Sequence, residues 1–278
     1  MAADIEQTSF GAAFAQIDAS RQGSALIEYL DWVAALPAVG RAKARSLDLL
    51  ELAPGDRLLD VGCGMGDDVR LAAARMGTAG LAVGVDTSAL VIKEARRRAR
   101  GCPGVTFHIA DASSLPFDDG EFRAVRADRT LQHVTAIERA VTELTRVTAP
   151  GGRVVVSEML NDLLVDGEVD TSVAAEAVGD RFWARGERRG WVGFLLPLLF
   201  RRSGLAQVQM IWDREVVGDM ETIDGLLRLR DLARQAVSDG ILEEAVAASW
   251  LSDLWHRGAE GRVVLRMHFL HVLGLRDD

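Results

Sequence analysis

The chain has 278 residues, of which 49% are apolar and 26% charged, a globular composition with length enough to bury a full core. Disorder and collagen-like fibre are thereby excluded, and two cysteines, Cys63 and Cys102, cannot make a disulfide framework. Lys plus Arg number 32 against 41 Asp plus Glu, a net charge of −9, so the basic footprint of a nucleic-acid binder is missing and no nucleic-acid partner is expected.

The start, MAADIEQTSF, has neither a basic n-region nor an apolar h-region. No signal peptide is expected there, and the reading is a cytoplasmic, reducing location. The longest near-continuous apolar run, Trp191 to Phe200, is interrupted by Pro197 and covers about half of what a bilayer span needs, so no membrane span is expected. The basic run Arg96, Arg97, Arg98 and Arg100 falls in a helical pattern and reads as a solvated face.

In chain order, residues 24–52 suggest two helices broken at Pro37, and 1–52 are read as an N-terminal helical lid. Strands then alternate with helices. Arg57 to Val61 is a strand running into Gly62-Cys-Gly-Met-Gly66, and the next helix takes Asp67 or Asp68 as its N-cap. A second strand, Leu81 to Val85, closes on Asp86, with Thr87 or Ser88 capping the helix that follows. Val105 to Ala110 ends on Asp111, Phe122 to Ala127 leads through Asp128 to a helix, and Pro150-Gly-Gly152 turns into a strand from Arg153 to Ser157.

Short strands joined by helices imply right-handed crossovers and a doubly wound, mostly parallel α/β sheet. Residues 53–158 would be the Rossmann-like core. Residues 159–205 read as a helical cap insertion, since 160–203 look mostly helical. Residues 206–278 read as edge strands, Ala206 to Val217 and Arg262 to Val272, paired antiparallel around a helical insertion. Seven strands and a single catalytic domain are expected overall.

Glycines between a strand and a helix let backbone approach a ligand at the carboxyl edge of an open α/β sheet. A dinucleotide fingerprint would need glycine at the sixth position, where Asp67 stands, and a carboxylate at a helix start repels pyrophosphate. The Walker loop fails too, because no Gly-Lys-Ser/Thr follows. Asp60, Asp67, Asp86 and Asp111 around the loop suit a phosphate-free nucleoside that carries positive charge, such as S-adenosylmethionine.

The runs LLDVGCGMGDDV (Leu58 to Val69), GVDTS (Gly84 to Ser88), DASSLPF (Asp111 to Phe117), RTLQHV and ELTRVTAPGGRVVVSE resemble class I S-adenosylmethionine-dependent methyltransferases. The closest group is the small-molecule enzymes related to the quinone-biosynthesis C-methyltransferases, and the likeness is good over roughly residues 40–158. The resemblance implies that Gly62, Gly64 and Gly66 line the cofactor with bare backbone and that Asp60 organises its ammonium end. It implies that Asp86 accepts both ribose hydroxyls and that Thr87 packs beside the adenine. Asp111 would accept from the adenine amine, the backbone of Ala112 would meet the ring, and the main chain at Ala127 and Asp128 would hold the amino acid moiety.

Other residues have two readings each. Asp67 is either an N-cap or a ligand contact. His133 is a general base facing the methyl-transfer cleft or a packing residue. Tyr29, the one tyrosine, closes over the sulfonium or simply packs its helix. Trp183, Trp191 and Phe194 form an aromatic acceptor wall or belong to the core. Cys63 reads as a small buried residue without a partner. The five histidines show no metal-ligand spacing, so no metal is expected.

The function implied is methyl transfer to an oxygen, nitrogen or carbon of a small, largely apolar metabolite, with secondary metabolism as one setting. Two alternatives stay open: a cyclase or decarboxylase that keeps the cofactor bound, and a non-catalytic binding module. The oligomeric state is open as well, a homodimer being one option.

Overall fold

A computed structural model describes residues 23–184 and 192–277. The elements in chain order begin with α1 (Gly23–Ala34), α2 (Pro37–Asp48), β1 (Arg57–Val61), α3 (Asp67–Met76), β2 (Leu81–Asp86) and α4 (Ala89–Arg98). They continue with β3 (Val105–Ile109), β4 (Phe122–Asp128), a 3-10 turn (Leu131–His133), α5 (Ile137–Val147), β5 (Thr148–Val165), β6 (Glu168–Val169) and α6 (Val173–Ala184). The last are α7 (Val192–Arg202), β7 (Leu205–Val217), α8 (Met220–Leu227), α9 (Leu229–Ser238), α10 (Glu244–Ala259) and β8 (Val263–Arg276).

Two compact units emerge, one from 1–158, 189–212 and 269–278, the other from 159–188 and 213–268. In the first, the strand order is β3-β2-β1-β4-β5-β8-β7, and β1 through β5 run parallel. Strand order reverses between β1 and β4, the switch point at which an open α/β sheet binds its ligand.

Both faces of this sheet are covered, so its strands are apolar on both sides. Val61, Val85, Val125, Val154 and Val156 pack with Val141 and Leu144 of α5 and with Leu196 and Phe200 of α7. The alternate residues Leu58, Ala82, Ala124 and Val155 pack with Leu47, Met76 and Ile92 of α2, α3 and α4. Pro37 opens α2, where its missing N–H costs no hydrogen bond.

The second unit holds the rest of β5, β6 and the helices α6, α8, α9 and α10. Here the structure departs from the helical reading of residues 160–203: Leu160 to Val165 continue β5, which pairs antiparallel with β6. Asp166 and Gly167 both take positive φ, 54° and 84°, the geometry of a tight hairpin turn. The Asp-Gly dipeptide was the signal for it. Two ion pairs and a hydrogen bond staple the unit: Asp166 holds Arg257 and Arg262 at 2.6 Å, and Trp250 donates its indole N–H to Asp170 at 2.9 Å.

Candidate active site

The loop after β1 is pinned to β2, because the N–H groups of Gly62 and Cys63 both donate to the carbonyl of Val85, at 2.8 and 2.9 Å. Gly62, Gly64 and Gly66 all have positive φ, but for different reasons. A Cβ on Gly62 would collide with Thr130, and one on Gly66 with the ring of Phe107. A Cβ on Gly64 would meet nothing within 4 Å. Two of the glycines therefore serve internal packing, and Gly64 presents bare backbone to open space.

That difference sets an expected result. Gly66→Ala carries a left-handed penalty of about 1–2 kcal/mol plus an overpacking cost of roughly 1–3 kcal/mol, whereas Gly64→Ala carries the first alone. Thermal melting of the two variants should separate them clearly, and equal melting would contradict this division of roles.

Gly66 is also the N-cap of α3, with no side-chain cap bond, so neither Asp67 nor Asp68 caps the helix as the sequence suggested. Both lie inside its first turn. The left-handed glycine turns the chain into the helix one residue earlier, which frees both carboxylates for other partners. Asp67 pairs with Arg70, and Asp68 takes Lys43 at 2.7 Å and Arg126 at 3.1 Å.

Arg126 is a residue the sequence reading missed. It follows Ala124 on the α2 and α3 side of β4 and is 1% exposed. Its guanidinium donates to Ser46 Oγ at 2.8 Å, to Asp60 at 3.0 Å, to Asp68 and to Asp128. The Ser46 hydroxyl in turn donates to the carbonyl of Lys43 at 2.8 Å. Burial pushes the Asp60 carboxyl up to about 6, with Asp68 and Asp128 adding to the rise and Arg126 opposing it. Burial also works against the charge on Asp68, but Arg126 and Lys43 outweigh it and hold that carboxyl below the usual range. Three carboxylates here face three cations, Arg126, Lys43 and Arg129, the last bonded to Asp128 at 3.3 Å, so the cluster is close to balanced.

Asp86 stands at the end of β2, half-buried. Gly64 N–H donates to its Oδ2 at 3.2 Å and Ser88 N–H to its Oδ1 at 3.0 Å, so the carboxylate ties the glycine loop to the start of α4. Ser88 caps that helix by accepting from Val91 N–H at 3.1 Å, and Thr87 between them is exposed. Asp111 is exposed and held below the usual carboxylate range by the hydroxyl and N–H of Ser113, while Ala112 is buried.

Ala127 is buried at the end of β4, and the chain then turns through Asp128 and Thr130 into the 3-10 turn, which places His133 half-buried beyond the strand. Tyr29 packs with Leu26 of α1 against Met65 of the glycine loop and Val91 of α4, and Asp31 fastens α1 to Arg98 at 2.6 Å. Phe194 is 42% exposed and its ring lies 5.5 Å from that of Trp212. Trp191 and the side chain of Trp183 lie outside the described residues. Cys63 is buried, and burial pushes its thiol well above the ordinary range. Among the described residues no group of three or more His, Cys, Asp or Glu could hold a metal ion, and no helix is long and apolar enough to cross a membrane.

A parallel sheet that reverses at β1 and β4, with a glycine loop at that edge and acids on the neighbouring strand ends, defines a nucleoside-binding α/β fold. Residues 52–180, a little under half of the chain, match the family model described as a methyltransferase domain, so over this stretch the chain is similar to methyltransferases. A 37.1 kDa protein in transposon TN4556 of Streptomyces fradiae is 33% identical over 231 residues, 82% of this chain and 66% of that one. A demethylmenaquinone methyltransferase of Symbiobacterium thermophilum is 38% identical over 108 residues, 38% of this chain and 43% of the relative. The chain thus spans less than two thirds of the length of either relative. A Haemonchus contortus phosphoethanolamine N-methyltransferase 2, solved with S-adenosyl-L-methionine, has the same fold, with a TM-score of 0.62 at 16% identity over 98% of this chain and 61% of that one.

Proposed function

We propose that this chain transfers the methyl group of S-adenosylmethionine to an oxygen, nitrogen or carbon nucleophile of a small, largely apolar metabolite. The observation that carries the reading is the start of α3. Two carboxylates, Asp67 and Asp68, occupy its first turn, and in the loop before it a Cβ on Gly64 would meet no protein atom within 4 Å, an arrangement that disfavours pyrophosphate and suits a cationic nucleoside. The name of the Symbiobacterium relative supports a small-molecule acceptor.

In this reading Gly64 offers its backbone to the cofactor, and Asp86, already oriented by the Gly64 and Ser88 N–H groups, accepts from the ribose hydroxyls. Asp111, Ala112 and Thr87 surround the adenine. The main chain at Ala127 and Asp128 holds the amino acid end, while Asp60 acts on it through Arg126 and the charge balance of the cluster. The cofactor supplies an already activated methyl group on a sulfonium. What remains for the chain is to hold the acceptor at about 3–3.5 Å in line and to exclude water, work that alignment can do without a dedicated acid. Tyr29 on α1 covers the loop side, and Phe194 is the aromatic candidate for the acceptor wall. His133, on the 3-10 turn after β4, is the candidate to take the proton from a hydroxyl acceptor.

Isothermal titration calorimetry with S-adenosylmethionine tests the reading directly. One site per chain is expected, with a rise in melting temperature that grows with ligand concentration. Absence of both heat and melting shift would overturn it. Metabolite pools should then gain one methyl mass when incubated with the enzyme and cofactor.

A further inference from the structure

Glu158 has no part in any role assigned so far. It follows Val154 and Val156 on one face of β5 and is 1% exposed at the carboxyl end of the parallel sheet. Its Oε1 accepts the N–H of Gln132 at 3.2 Å. Its Oε2 is buried and meets no hydrogen-bond partner among the described residues. A native structure rarely leaves such an atom unpaired without a use for it.

The surroundings are built for a close fit. Gly193 of α7 lies over the side chain, where a Cβ would stand 3.6 Å from the Glu158 Cβ and 2.6 Å from Leu270. The charged groups that face the carboxyl are Asp128 and Arg129, at the end of β4. His133 is the other titratable group on the adjoining turn. Leu270 adds none from β8, and the next residue, His271, is bonded through Nδ1 to Ser157 at 2.7 Å.

We infer that Glu158 is a positioning residue for the acceptor edge: its carboxyl seats the Leu131–His133 turn, and so fixes Gln132 and His133 beyond the end of β4. The inference rests on the proposed reading of that turn as part of the methyl-transfer cleft. Burial pushes the carboxyl up to about 8, with the Gln132 and Leu131 N–H groups and Arg129 opposing the rise and Asp128 adding to it. Near neutral pH the seat is therefore a neutral acid, with one oxygen accepting from the turn and the other carrying the proton. Ionisation on the alkaline side places a second negative charge beside Asp128 in a dry pocket, and the turn loosens to let water in.

Hydrogen exchange on the full chain, corrected for the intrinsic pH dependence, tests this on peptides covering 129–134 at about pH 6.5 and pH 9.5. In the native chain, protection of this turn should fall several-fold between the two conditions. Glu158→Gln keeps a neutral carbonyl acceptor for Gln132 and should hold protection at both. Glu158→Leu removes the acceptor and should expose the turn at both; if that variant fails to fold, the comparison of native chain with Glu158→Gln decides alone. An alkaline loss in Glu158→Gln equal to that of the native chain would overturn the inference, as would a native chain whose turn is equally protected at both values. Calorimetry with S-adenosylmethionine on the same samples keeps the outcomes apart, since failure to bind cofactor sinks the proposed function while the exchange data still judge Glu158.

Discussion

Arg126→Leu is expected to cost about 3–5 kcal/mol of stability at neutral pH, close to the whole margin of many domains, because it leaves a buried carboxylate without its cation. Asp60, Asp68 and Asp128 all bond to this one guanidinium; Lys43 also reaches Asp68 and Arg129 reaches Asp128, so it is the fully buried Asp60 that loses its cation. Denaturant unfolding at neutral and mildly acidic pH would measure the effect. Without Arg126 the Asp60 carboxyl, already raised by burial, rises further above its unfolded value. The cost then grows as pH climbs past the unfolded value near 3.9 and is complete above the raised one, so the deficit should shrink on acidification. Asp60 already shows this sign in the native chain, since a carboxyl pushed up to about 6 loses stability between the unfolded value and that point. Arg126→Lys keeps the charge but not the planar fork that spans three acids, and should fall between. A loss under about 1 kcal/mol in Arg126→Leu would show that the cluster is not the electrostatic keystone it resembles.

Asp86→Ala should weaken S-adenosylmethionine binding at least about 100-fold, because two hydrogen bonds to a charged acceptor are each worth roughly 1.5–3 kcal/mol. The same carboxylate also receives Gly64 and Ser88 N–H, so removal loosens the glycine loop as well. The variant should therefore melt lower, by the equivalent of about 1–3 kcal/mol. Asp86→Asn retains one oxygen for the loop and forfeits the charge, which separates the two losses: its melting should recover more than its affinity. Calorimetric affinity unchanged in Asp86→Ala would remove Asp86 from the ribose site.

The hairpin at Asp166-Gly167 was legible, because two residues with positive φ between strands favour that dipeptide. Leu160, Leu163 and Leu164 nevertheless fit a helical stripe as readily as a strand, so apolar spacing alone does not separate the two there. Glu158 was visible as the last letter of an alternating run, but nothing local tells a buried acid from a solvated strand end. Residues 60 and 68 are 66 and 58 positions away from Arg126, and no short-range pattern announces that they converge on it.

By itself the sequence determined the alternation of strands and helices, the place of the glycine loop and the acids at the ends of β2 and β3. These depend on periods of two and 3.6 residues and on backbone angles that only glycine takes easily. Tertiary structure alone decided which glycine is open to a ligand, which acids share one buried arginine, and that Glu158 lies dry beneath a turn. Those outcomes come from burial and from partners brought together across the sheet, where the loss of water sets the energy of a charge and no neighbour in the chain can foretell it.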